Sequence, residues 1–144
     1  MRGLLAALLL APALAWPADL YRQHCATCHS LHGEGFPVGP DLTTVKTRGE
    51  DLLLIDILDP NRVIAPEYIN YTVATRSGQI ATGMIAAETS TTLTLRRAQG
   101  AEDVILRKDI EEIRGTGQSL MLEGLEKELK PQDVADVIKF LRTD

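Results

Sequence analysis

The stretch Cys25-Ala26-Thr27-Cys28-His29 decides how the rest of this sequence is interpreted. It predicts two thiols on one turn of helix, with an imidazole directly after the second. This Cys-x-x-Cys-His spacing is typical of a c-type haem attachment site, because each thiol can bond one haem vinyl group. The imidazole of His29 would then lie below the iron as an axial ligand. The motif therefore predicts one covalently bound haem.

Two other kinds of site use paired cysteines and stay open at this point. A disulfide between Cys25 and Cys28 would make a thioredoxin-like redox site, which normally follows an apolar strand. No such strand precedes Cys25. A zinc site would need two more ligands at close spacing, and His24 and His32 are poorly placed to supply them. Haem attachment is the leading interpretation.

The first residues have the organisation of a secretory signal peptide. A basic start at Arg2 is followed by an apolar run from Leu4 to Leu14, and Ala13-Leu14-Ala15 supplies small residues before a cut. We expect cleavage after Ala15, with Ala18 as a second position. An uncleaved anchor is the alternative, although the run is short for a bilayer. The sequence thus predicts a signal peptide over residues 1–15 and an exported, periplasmic chain with no stable membrane span after cleavage.

The net charge of the chain limits the classes of molecule that we expect it to bind. The 144 residues carry 15 basic and 20 acidic side chains, a net charge of −5 at pH 7, and loss of Arg2 makes it one unit more negative. An acidic surface argues against nucleic acid and anionic lipid as partners. It suits a protein partner with a basic docking patch.

Periodicity divides the remaining chain into three regions. Tyr21, Cys25 and Cys28 share one helical face, and a Gly- and Pro-rich loop follows. Thr47 and Glu50 then form a capping-box pattern that predicts a second helix, which Asp59-Pro60 ends. The last region, from Pro131, predicts an amphipathic helix with apolar residues at helical spacing: Val134, Val137, Ile138 and Leu141.

Between these helical regions, residues 68–114 alternate with a period of two. Turns at Ser77-Gly78 and at residues 98–101 separate short runs, which predicts a five-stranded antiparallel meander. We expect this insertion to close into a small barrel, because closure removes exposed strand edges. The interpretation of its role stays open between a docking surface, a lid and a structural elaboration that covers the haem.

A sixth iron ligand has few candidates. His24 and His32 lie too close to the attachment site, and Met84 lies in a strand, where methionine is more often core filler. Met121 is the last residue of the Gly-rich stretch 115–121, which we expect to be a loop that can bring a thioether to the iron. His29 and Met121 are therefore the predicted metal ligands.

Taken together, the attachment motif, Gly39-Pro40-Asp41-Leu42, Met121 and the C-terminal helix resemble a class I cytochrome c. The resemblance implies that the carbonyl of Pro40 accepts from the ring of His29, which would make that ligand more electron-donating. It also implies that Tyr21 packs on the last helix, against Phe140 and Leu141. Arg48 would bind a haem propionate.

Because the interval between His29 and Met121 is long, the chain is similar to a narrower group, the haem-binding domain of planctomycete and verrucomicrobial proteins. Ile57-Leu58-Asp59-Pro60, Tyr68 and Ser119-Leu120-Met121 carry that likeness. Two positions depart from its pattern: Leu122 stands where a proline usually follows the methionine, and Lys130 stands where Ser or Thr usually caps the last helix.

The predicted fold is α+β: a mainly α haem domain, residues 16–67 and 115–144, interrupted by the β insertion. The resemblance implies a mono-haem electron carrier rather than an enzyme, working with redox proteins such as a periplasmic dehydrogenase, of which it could be a subunit, or a terminal oxidase. The alternative is a haem-based sensor or small-ligand binder in which Met121 is labile. A haem peroxidase ranks lowest, because it would need distal acid–base residues.

Overall fold

Residues 16–143 are described by the computed structural model, so the predicted signal peptide lies outside the described residues. They form three helices and seven strands, in this order: α1 (Pro17–His24), β1 (Ser30–Leu31), β2 (Glu34–Gly35), α2 (Glu50–Leu58), β3 (Ile69–Thr75), β4 (Ile80–Glu88), β5 (Thr92–Arg96), β6 (Glu102–Leu106), β7 (Ile110–Ser119) and α3 (Pro131–Arg142). Helix α2 begins after Gly49, two residues later than the predicted cap at Thr47. The architecture is mixed helix and sheet.

The three helices share one hydrophobic core. Tyr21 of α1 is almost completely buried, and its ring centroid lies 6.2 Å from that of Phe140 in α3. Leu53 of α2 joins the same cluster. The predicted stripe of α3 is buried as a whole: Val134, Val137, Ile138 and Leu141. The amphipathic pattern therefore becomes the face on which α1 and α2 pack.

Helix α3 begins without a Ser or Thr cap. Pro131 occupies its first turn, where a missing N–H costs nothing. The carboxylate of Asp133 instead accepts from the backbone N–H of Lys130 at 3.0 Å. A carboxylate in the first turn also suits the helix dipole, so the start of α3 is stabilised despite the substitution at the cap.

The insertion is an antiparallel sheet with the strand order β6-β5-β4-β3-β7. Strands β3 to β6 are successive hairpins, as the period-two runs predicted, and β7 returns to pair with β3. Its core centres on three residues with no exposed surface: Val73, Leu93 and Leu95. This cluster is separate from the helical core, so the sheet has an interior of its own.

The predicted closed barrel is wrong for the described residues. Strands β6 and β7 are the two edges of the sheet, and among residues 16–143 no pairing joins them. Strand β7 is exposed along nearly all its length, with Glu111, Glu112 and Arg114 on it. Charged side chains discourage pairing with another strand, so this edge is protected by charge and not by closure.

The predicted loop over residues 115–121 is wrong for its first five residues, because β7 continues to Ser119. Gly115 pairs with Tyr71, and Ser119 pairs with Ile69 across a register shift. The glycines suggested a loop, but pairing with β3 provides partners for the backbone. The sheet therefore runs past residue 114, where the sequence had ended the insertion, and stops two residues before Met121.

Within the described residues, no helix is long and apolar enough to cross a membrane.

We expect Leu95→Ala to lower the free energy of unfolding by about 2–4 kcal/mol, because Leu95 has no exposed surface and its removal leaves a cavity. Leu106→Ala is the matched control in the same sheet, since Leu106 is 43 % exposed. Denaturant titration followed by circular dichroism measures both. Equal losses would contradict a separate sheet core.

Candidate functional site

The attachment motif forms a helical turn just after α1. The backbone N–H groups of Cys28 and His29 both donate to the carbonyl of Cys25, at 3.1 and 2.9 Å. Both thiols are free, and both side chains are half-buried. The turn therefore presents two free thiols and an imidazole within five consecutive residues.

The ring of His29 is oriented by a backbone carbonyl. Its Nδ1 lies 2.8 Å from the carbonyl oxygen of Pro40. A carbonyl can only accept, so Nδ1 carries the hydrogen and Nε2 keeps its lone pair. Burial lowers the pKa of His29, against the opposing effect of the Pro40 bond. The imidazole is therefore neutral at pH 7 and offers Nε2 to a metal.

Gly39 allows this arrangement because it has no side chain. A Cβ at Gly39 would lie 2.6 Å from Cε1 and 2.9 Å from Nδ1 of His29. The backbone N–H of Gly39 also donates to the carbonyl of Cys28 at 2.6 Å. The loop thus passes directly over one face of the imidazole, and only glycine fits there.

Tyr21 holds the other side of the attachment turn. Its hydroxyl lies 3.0 Å from the carbonyl of His29 and 2.7 Å from that of Glu34. Burial is the first cause that raises the pKa of Tyr21, so the hydroxyl remains a donor at neutral pH. One buried side chain therefore links α1, the turn and the β1–β2 hairpin.

The two competing sites find no support here. Burial, followed by the neighbouring Cys28, raises the pKa of Cys25 to about 11. Thioredoxin-like cysteines need the opposite shift, because the thiolate is the reactive form. Across residues 16–143, no group of three His, Cys, Asp or Glu side chains could hold a metal ion.

Met121 follows β7 and is half-buried. Its backbone N–H donates to the Ser119 hydroxyl at 3.0 Å, and the backbone N–H of Ser119 donates to the side-chain carbonyl of Asn61 at 2.8 Å. The amide of Asn61 also donates to Glu123. Asn61 therefore bonds the chain on both sides of Met121. Sequence reasoning missed Asn61; its place directly after Asp59-Pro60 was the available signal.

The remaining candidates are dispersed. Met84 is buried in β4 but belongs to neither of the two core clusters, whereas His32 is exposed. His24 lies 3.8 Å from the carboxylate of Glu128. Arg48 donates twice to Asp56, at 2.5 and 3.0 Å, and its side chain is about half exposed.

The family model of cytochrome c matches residues 18–144. The chain belongs to the cytochrome c family. Its members bind haem c covalently, and Cys25 and Cys28 stand at the required spacing. The family generally transfers electrons rather than catalysing reactions, so this cytochrome is a haem-binding electron-transfer protein.

Two further comparisons add little. No curated protein matches this cytochrome. Among solved structures, a crystal structure of the pleiotropic translational regulator Hfq is similar to this chain, with 18 % identity and a TM-score of 0.30. The match covers 45 % of this chain and 86 % of the Hfq chain.

The residues of this cytochrome fit a covalently held haem. Both thiols are unpaired and therefore available for thioether bonds. The neutral imidazole of His29 has its hydrogen on Nδ1, bonded to Pro40, so that Nε2 can bind iron. Such a bond from the ligand to a carbonyl is the usual support of a metal-binding histidine.

We expect Gly39→Ala to lower the free energy of unfolding of the holoprotein by about 1–3 kcal/mol, because the added methyl group overlaps the His29 ring. The ferric absorption spectrum should change with it. Gly115→Ala is the matched control, since a Cβ there meets the Tyr71 ring at 3.5 Å, an ordinary contact. An unchanged spectrum in Gly39→Ala would contradict this account of the ring's position.

Proposed function

We propose that this protein is a periplasmic, mono-haem, class I cytochrome c that passes single electrons between redox proteins, with His29 and Met121 as axial ligands. The observation that carries the proposal is the 2.8 Å contact between His29 Nδ1 and the Pro40 carbonyl. It leaves a neutral, oriented Nε2 directly after two free thiols. The sequence contains two cysteines, enough for one haem bonded by two thioethers.

When bound, haem supplies a one-electron iron couple. The protein's part is to hold the iron in one coordination geometry, so that little rearrangement accompanies the change of charge. Cys25 and Cys28 fix the porphyrin to the turn after α1. Pro40 and Gly39 fix the imidazole plane of His29, through a hydrogen bond and through contact with its face.

The bonds around Met121 support it as the distal ligand. Asn61 and the Ser119 hydroxyl hold the backbone on the N-terminal side of Met121, and Asn61 reaches Glu123 on the other. A thioether on a tethered segment can bind iron firmly even without the usual proline after it. A His/Met pair raises the reduction potential and leaves no open site, which suits electron transfer.

Arg48 is proposed to bind a haem propionate. Its guanidinium gives two N–H donors to Asp56, and arginine has five. The side chain therefore keeps donors for a second carboxylate. Asp56, in the second half of α2, holds the guanidinium in place, which lowers the cost of ordering it for a propionate.

Partners and location follow from charge and from the first residues. The acidic balance favours a redox partner with a basic docking patch, for which a periplasmic dehydrogenase or a terminal oxidase is the proposed class. The signal-like segment supports export, and cytochrome c domains are typically exported. The haem-binding domain of planctomycete and verrucomicrobial proteins is the proposed subgroup, because its long ligand interval is matched here.

We expect Met121→Leu to abolish the near-infrared charge-transfer band of ferric iron bound by methionine, because leucine offers no sulfur. Met84→Leu is the matched control and should keep the band, since Met84 is buried in β4. Near-infrared absorption of the holoproteins measures both. A wild-type protein that lacks the band and rapidly binds carbon monoxide would overturn the electron carrier in favour of a ligand-binding haem domain.

We expect Asn61→Ala to speed carbon monoxide binding to the ferrous holoprotein about fivefold. The variant removes the bond to the Ser119 backbone, worth about 1 kcal/mol, and the exposed bond to Glu123, so Met121 is released more often. Thr116→Ala removes a similar bond, to the carbonyl of Asn70, elsewhere on β7. Stopped-flow mixing compares the two. Equal rates in wild type and Asn61→Ala would show that Asn61 does not hold this segment.

A further inference from the structure

The carbonyl groups of the attachment motif all have donors, and one donor comes from the inserted sheet. Cys25 accepts within the turn, while Ala26 and Cys28 accept from the loop that follows it. Tyr21 serves His29. The remaining carbonyl, that of Thr27 between the two haem-bonding cysteines, accepts from the backbone N–H of Gln99 at 2.6 Å.

Gln99 reaches Thr27 from the β5–β6 turn, residues 98–100, in an uncommon conformation. Its φ of 60° and ψ of 20° lie in the left-handed region, and Gly100 follows with a φ of 68°. A non-glycine residue remains there only when its surroundings hold it. Two bonds across the turn do so: Gly100 to Arg97, and Arg97 to Ala101.

The same turn and the last residue of β5 also contact the loop that follows the attachment motif. The Arg96 guanidinium donates to the carbonyl of Pro37 at 3.3 Å. Gly100 lies against the ring of Phe36, so close that a Cβ would come within 3.2 Å of it. Phe36 and Pro37 lead directly into Val38 and Gly39, the residues that bond Cys28 and cover the imidazole.

We propose that the β5–β6 turn of the inserted sheet is a positioning element for the proximal side of the haem, with Gln99 as its positioning residue. The turn bonds the segment that carries the thioethers and contacts the segment that covers His29. It therefore sets the distance between them and, through it, the plane of the imidazole. This inference rests on haem attachment at Cys25 and Cys28 and is independent of whether Met121 binds iron.

The test compares Gln99→Pro with Gln99→Asn in the holoprotein. Proline removes the N–H donor and cannot adopt a positive φ, whereas asparagine keeps the donor and tolerates that conformation. Arg76→Pro is the control for damage to the sheet. It removes a backbone N–H that donates to the carbonyl of Asp109, a bond that lies within the insertion.

The readout is the set of paramagnetically shifted haem methyl resonances in the ferric cyanide complex. Cyanide makes the sixth ligand the same in every variant, so the shifts report the orientation of His29 and not the state of Met121. We expect Gln99→Pro to shift these resonances. Gln99→Asn and Arg76→Pro should leave them at their wild-type positions. We also expect amide exchange at Val38 and Gly39 to become about fivefold faster in Gln99→Pro, with unchanged exchange in α3.

A folded Gln99→Pro with wild-type resonances would overturn the proposal, as would the same displacement in Arg76→Pro. If Gln99→Pro does not fold, Gly100→Ala replaces it, with Gly78→Ala as control. Both glycines have positive φ, at 68° and 85°, but a Cβ at Gly100 meets Phe36 and one at Gly78 meets nothing within 4 Å. Displaced resonances in Gly100→Ala alone support the proposal, and equal spectra of the two variants contradict it.

Discussion

The hydrogen bond between His29 Nδ1 and the Pro40 carbonyl is the interaction on which the rest of the site depends. It assigns the tautomer, and burial lowers the pKa of His29, so the ring is neutral at pH 7 and Nε2 can bind a metal. The bond requires the loop to pass within contact distance of the ring, which Gly39 alone allows. Tyr21, α1 and α3 then hold the turn that carries His29 against this loop.

The helical core and the sheet core are separate clusters, yet the sheet bonds both the attachment turn and the segment that carries Met121. Gln99 bonds the proximal turn, and β7 ends at Ser119, which holds the backbone of Met121. An insertion with an interior of its own can be rigid without support from the helices. Such a sheet is suited to fix the distance between the two segments that it bonds.

Much of this arrangement could be predicted from the sequence, where the signal was local. The apolar spacing of α3 predicted its buried face, and the alternation around Tyr71 and Leu93 predicted hairpins, because both periods follow from backbone geometry. The Gly-rich residues 115–119 were wrongly predicted to lie in a loop, because their pairing partner, β3, lies more than 40 residues earlier. The prediction of a closed barrel was wrong for a related reason. A strand edge can stay unpaired when charged side chains protect it, as they do on β7.

The chemistry can be recognised in five consecutive residues, because two thiols and an imidazole stand there at haem-binding spacing. The surroundings of that motif depend on contacts between distant segments. The Tyr21 hydroxyl, Asn61 and the backbone N–H of Gln99 act across intervals of 8 to 72 residues. No local pattern marks such contacts, because a hydrogen bond between distant segments depends on where folding brings each backbone. The motif thus states which cofactor is held, and the fold determines how it is oriented.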